Sequence, residues 1–232
     1  MGLKKDLGLI GVFSVASGAM ISSGIFILPG LAFAKVGPAV ILAYLVAALL
    51  ASAGMLSMAE LSTAMPKAGG DYFFITRSLG PGVGTVSGLL TWLSLALKSA
   101  FAVLGLAAFA APLFGINMHV LAALLCGAFV LLNLGGVKQA GRAQVALVGF
   151  LLVFMLLFAL FGLPHVQAQN FEPFTLEGRG LRAVFATAGF VFVAFGGLLK
   201  AAGVSEEVQE PRRTIPRALI LAHVVTSLLY LL

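Results

Sequence analysis

The chain has 232 residues, 61% of them hydrophobic and 9% charged, with a mean hydropathy of +1.12. So much apolar surface has no place in a soluble domain of this length and points to an all-α polytopic membrane protein. The net charge of +6 is spread over short loops, which is not a nucleic-acid footprint, and the single Cys126 excludes a disulfide framework or a thiol metal site.

Seven apolar segments follow in order, at about 7–33, 38–61, 82–113, 119–134, 143–163, 181–203 and 215–232, within one transmembrane domain spanning 1–232. A spanning helix needs roughly 20 residues, so the fourth segment is short and the third is long enough to tilt or project. Lys4 and Lys5 precede the first run as in a signal peptide. That run is, however, much longer than a signal core of roughly 7–15 residues, and it reads as a retained span.

Inside the first segment stand Gly18, Ser22, Ser23, Gly24, Pro29 and Gly30. A broken helix in lipid leaves backbone groups unpaired, which is tolerated only beside protein or a water-filled cavity. A break after Ser22 and Ser23 would free the N–H groups of Gly24, Ile25 and Phe26 at the positive end of a second half-helix, a place suited to a carboxylate. Discontinuous helices of this kind mark secondary-transporter sites. A kinked helix with small residues for close packing is the plainer alternative.

With the N-terminus in the cytoplasm, nine of the fourteen basic residues fall on cytoplasmic segments. Three lie outside (Lys35, Arg179 and Arg182) and two within spans (Lys98 and Lys200). The positive-inside rule therefore favours that orientation in a cell membrane. The loop after the second segment, from Ala59 to Pro81, mixes charges, Gly69-Gly70 and aromatics. An amphipathic or re-entrant piece with Tyr72, Phe73 and Phe74 at the interface fits it, as does an ordinary turn with an aromatic belt.

In the third segment Gly84 and Gly88 lie on one helical face, suited to close packing, and no phosphate-loop lysine follows them. Lys98 sits deep in the same segment. A charge there costs on the order of 2.5–3.5 kcal/mol on insertion scales unless it is paired or hydrated. It reads either as a cation facing a transport cavity or as a structural lysine held by backbone carbonyls. The fifth segment carries no ionisable residue between Val145 and Leu163, and His165, Glu172 and Glu177 after it have no metal-ligand spacing.

The sixth segment holds Gly196 and Gly197 in mid-span. A break there would turn carbonyls around Val191 to Ala194 towards a cation such as an ammonium group, with Phe192 and Phe195 covering an apolar side chain. A packing notch is the alternative. The charged stretch from Ser205 to Arg217 reads as a solvated linker or as a gate of opposed charges, and Pro216 is expected to open the next helix.

These stretches together resemble the amino acid permeases of the amino acid–polyamine–organocation (APC) superfamily. Ser22-Ser23-Gly24-Ile25-Phe26 is similar to the family's small-small-Gly-Ile-Phe break. Glu60-Leu61 with Pro66 to Tyr72 resembles its cytoplasmic loop, Phe195-Gly196-Gly197 its Phe-x-Gly, and Glu206-Glu207 with Pro211 and Ile215-Pro216-Arg217 the loop before helix 7. The resemblance implies a LeuT-like fold of two inverted five-helix repeats. Helices 1 and 6 would break at the membrane middle and hold an amino acid between them. Its carboxylate would meet N–H groups near Ser23, Gly24 and Ile25, and its ammonium carbonyls near Val191 and Ala194.

Departures from the pattern are Ser22 where many relatives have Gly, Lys98 in place of a lysine in the fifth segment, and Leu198-Leu199-Lys200 where an acidic residue often follows the glycines. The family also runs to about ten to twelve helices. These 232 residues supply the N-terminal part, one repeat plus two helices, so a missing C-terminal half or a homo-oligomer is the expected partner. The implied function is secondary transport of amino acids or related amines, by symport or antiport, driven by an ion gradient since no ATP-binding motif is present. The coupling ion, H+ or Na+, stays open, and no cofactor is expected. A non-transporting assembly or regulatory subunit is the alternative. An enzyme is not expected, because no metalloprotease helix, paired membrane aspartates or nucleophile elbow occurs. The same reading expects these residues alone not to concentrate amino acids across a membrane.

Overall fold

A computed structural model describes residues 5–21, 24–67, 69–134, 137–176 and 180–232. Among them the chain forms ten α-helices: α1 (Leu9–Ile21), α2 (Gly24–Val36), α3 (Val40–Ala64), α4 (Asp71–Leu79), α5 (Pro81–Phe114), α6 (Met118–Leu134), α7 (Val137–Gly162), α8 (Gly180–Val191), α9 (Leu198–Gly203) and α10 (Pro211–Leu231). Five helical stretches are long and apolar enough to cross a membrane, the first being the run Leu9–Ala64. The 17-residue α6 is shorter.

Local chemistry sets the ends. Gly80 at φ 89° precedes Pro81 in the first turn of α5, and Gly115 in the left-handed region closes that helix. Both positions suit their residues, since proline lacks only an N–H that a first turn leaves unpaired and glycine meets no Cβ clash at positive φ. The last span differs from expectation. Pro211, not Pro216, opens α10, and Pro216 lies within the helix. The chain reverses one turn earlier, at Glu210 with φ 46°. Arg212 and Arg213 thus join the helix rather than the loop.

The core lies where α1, α3, α8, α10 and the 3₁₀ segment Phe192–Gly197 meet. Alanines make most of the α3 face, with Ala43, Ala47, Ala48, Ala51 and Ala59 buried, and Ala218 and Ala222 answer from α10. Small side chains let helix backbones approach, which matters in lipid because burial of apolar surface gives little drive between helices. Tyr44 and Tyr230 stack within this face at 4.8 Å.

α4 lies along the start of α5. A Cβ on Gly84 would fall on Thr76, and one on Gly88 would come within 2.8 Å of the Tyr72 ring. The two glycines expected to admit a close neighbour therefore admit α4. Thr91 Oγ1 donates to Asp71 Oδ2 across the same seam. The expected aromatic belt is divided: Phe74 is buried and Tyr72 is spent on Gly88 while staying partly exposed.

At one end of the bundle the chain is tied to itself. Leu7 N–H donates to Glu207 O at 3.0 Å and Gln209 N–H donates to Leu7 O at 2.9 Å, a single parallel bridge. Gln209 Nε2 adds a bond to Lys5 O at 3.2 Å, and Ser205 Oγ donates to Lys67 O at 3.2 Å.

Candidate functional site

α1 ends at Ile21 and α2 begins at Gly24; Ser22 and Ser23 lie outside the described residues. On the facing element, α8 ends at Val191, a tighter 3₁₀ stretch runs from Phe192 to Gly197, and α9 resumes at Leu198. The two places touch through backbone. A Cβ on Gly197 would lie 2.4 Å from Met20 N and 2.6 Å from the carbonyl carbon of Ala19. No side chain larger than hydrogen fits that gap. A Cβ on Gly24 would lie 2.7 Å from the Tyr230 hydroxyl and 3.5 Å from Ala194 Cβ.

Two side chains from other helices donate to carbonyls of the last described turn of α1. Lys98 Nζ, from α5, donates to Ala19 O at 2.8 Å. Tyr230 OH, from α10, donates to Met20 O at 3.1 Å. Lys98 thus faces the bundle interior beside the end of α1.

Two cavities flank this junction. One, of about 890 Å³, lies towards the end carrying the Leu7 bridge and is lined in part by Gly18, Asp71, Trp92, Lys200 and Glu207. The other, of about 690 Å³, lies on the α2 side and includes Gly24, Leu28, Phe101, Phe190 and Ala194 in its wall. Thr91, Leu95, Lys98 and Gly196 line both.

Of the residues singled out from the sequence, Gly24, Ala194, Gly196 and Lys98 therefore gather around the cavities. Ile25 is half-buried against the core. Val191 and Phe195 are buried in it, the Phe195 ring lying 5.6 Å from the His223 ring and 5.7 Å from that of Tyr230. Phe192 is exposed and lines neither cavity.

Sequence reading passed over Tyr230, Gly197 as distinct from Gly196, and Thr91. A tyrosine near the end of a span and a hydroxyl two helical turns before Lys98 were the available signals. It also passed over His223, whose Nε2 lies 3.0 Å from Ser52 Oγ. Ser52 Oγ also lies 2.9 Å from Ala48 O, to which it donates. The arrangement sets the Lys98 side chain, the last described turn of α1 and Gly24 around one largely apolar cavity.

A family model described as amino acid permease matches residues 7–232. The branched-chain amino acid permease BcaP of Bacillus subtilis is 30% identical, the match covering 98% of this chain and 53% of the relative. A methylthioribose transporter of the same species is 29% identical over 97% of this chain and 52% of its own length. The inner membrane transport protein YbaT of Escherichia coli is 29% identical over 98% and 54%. The chain spans about half the length of these curated relatives.

Proposed function

The chain belongs to the amino acid permease family, and on that premise we propose that it forms the substrate-holding part of a secondary transporter for amino acids or related amines. The observation that carries this reading is the backbone contact of Gly197, at the end of the 3₁₀ interruption, with Ala19 and Met20 just before the Ser22–Ser23 stretch, between two cavities. The carboxylate of the substrate meets the first N–H groups of α2, near Ser23, Gly24 and Ile25. Its ammonium meets carbonyls of the facing 3₁₀ segment, near Val191 and Ala194. Lys98, at the wall common to both cavities, is the residue that couples occupancy to an ion gradient of H+ or Na+. The N-terminus is cytoplasmic, so the cavity flanked by Asp71 and Glu207 opens inward and the α2-side cavity outward.

The test is amino-acid binding by the chain in lipid nanodiscs, followed as unfolding temperature against ligand concentration. A ligand that binds only the folded state adds about 2.7 kcal/mol of stability at 100 times its Kd. A graded rise with some member of a panel of amino acids and amines is the expected result. A flat response to the whole panel defeats the proposal and favours a subunit without a transport site.

A further inference from the structure

The wall of the α2-side cavity is chemically one-sided. Among the described residues its only ionisable side chain is Lys98. Ser87, Thr91 and Ser94 of α5 supply hydroxyls, and the remainder is apolar, with Leu28, Leu90, Leu97, Phe101, Phe190 and Val193. The other cavity differs, since Asp71 and Glu207 share its wall with Lys98 and Lys200. Lys98 is not free to swing out of the way, because Ala19 O holds its Nζ at 2.8 Å.

We propose that the α2-side cavity receives the side chain of a zwitterionic amino acid and selects neutral apolar side chains over cationic ones, with Lys98 as the specificity-determining residue. This rests on the reading of the junction as an amino-acid site. A volume of about 690 Å³ suits a small ligand, whose clefts run to roughly 300–1,000 Å³. A lysine or arginine side chain entering it leaves water for a wall that, among the described residues, offers no carboxylate, and it approaches the Lys98 ammonium held at Ala19 O. Both effects oppose it: the buried cation lacks a counter-charge, and like charges repel strongly where water is scarce. Rejection by an unpaired charge is a common way to build specificity. An apolar side chain meets neither penalty.

L-norleucine and L-lysine isolate the charge, having the same carbon chain without and with a terminal ammonium. Titrated into the chain in lipid nanodiscs, with unfolding temperature as the readout, norleucine is expected to bind about 100-fold or more tightly than lysine. In Lys98→Met the gap is expected to shrink by about tenfold or more, through a gain for lysine, while Lys98→Arg keeps the gap. Lysine binding as tightly as norleucine to the unaltered chain overturns the inference and leaves the amino-acid site standing. Lysine rejection undiminished in a folded Lys98→Met overturns the role of Lys98. Absence of any response to either ligand or to other amino acids defeats the underlying reading, and the inference with it. Should Lys98→Met not fold, the pair of ligands on the unaltered chain still decides selectivity, and Lys98→Gln replaces it with a neutral hydrogen-bond donor to Ala19 O.

Discussion

α3 buries eight of its 25 residues, whereas the longer α5, with 34, buries four. Both are apolar along their length and both are read as spans, so apolarity does not separate them. Side-chain size and backbone partners do. The buried face of α3 is mostly alanine and lies against α10, α8 and the Phe192–Gly197 segment. α5 instead carries Leu89, Trp92 and Leu93 exposed and presents Leu90 and Leu97 to the α2-side cavity. In a bilayer, close packing and satisfied backbone groups hold helices together, and bulk hydrophobicity only keeps them in the membrane. Within these residues the junction region is held in the first way, and α5, α6 and α7 bury few side chains.

That contrast can be broken hardest at Gly197. Gly197→Ala places a Cβ 2.4 Å from Met20 N, a clash with backbone that no rotamer relieves. Overpacking typically costs about 1–3 kcal/mol, and the upper end is expected here, with loss of amino-acid binding, measured by unfolding temperature with and without ligand. Gly24→Val comes next. Its side chain meets the Tyr230 hydroxyl, so binding is expected to be abolished while membrane insertion, checked by protease or glycosylation mapping, is kept because valine is more apolar than glycine. An unchanged affinity in that variant would place the carboxylate elsewhere.

Tyr230→Phe removes one hydrogen bond and leaves the stack on Tyr44, and a loss of about 0.5–1.5 kcal/mol in thermal unfolding is expected. The smallest effect belongs to the other region. Phe158 of α7 is 66% exposed, and Phe158→Ala is expected to change stability by less than about 0.5 kcal/mol. A large loss at Phe158 would show that the outer helices are held by packing after all.

The contrast also explains what could be read in advance. Long apolar runs announce spans without structure, because lipid imposes length and composition on each one separately. Gly196-Gly197 announced a weak point in the sixth segment, but the sequence does not say that its second glycine is the one pressed against Met20. That depends on how two distant helices approach. Phe195, read as a cover for an apolar side chain, packs beside His223 and Tyr230 of α10, neighbours that no sequence pattern names. Lys98 was legible as an interior charge, since a mid-span ammonium has few other places to go. Its partner, a carbonyl 79 positions earlier in the chain, was not. Pro216 misled because two prolines lie near the start of one helix, and either can occupy a first turn.

The bridge at Leu7 has a mechanical consequence. Just before α1 the chain is tied to Glu207 and Gln209, on the approach to α10, and near its other end Met20 is tied to Tyr230 of α10 itself. Two fastenings about 20 Å apart, given 1.5 Å per residue over the 13 residues of α1, make the two helices a single rigid lever. Neither can tilt or slide without the other. A pair of spin labels on α1 and α10 is therefore expected to report one unchanging separation whatever state the molecule occupies, and cutting either fastening, by Tyr230→Phe or by deleting the residues before Leu9, is expected to broaden it.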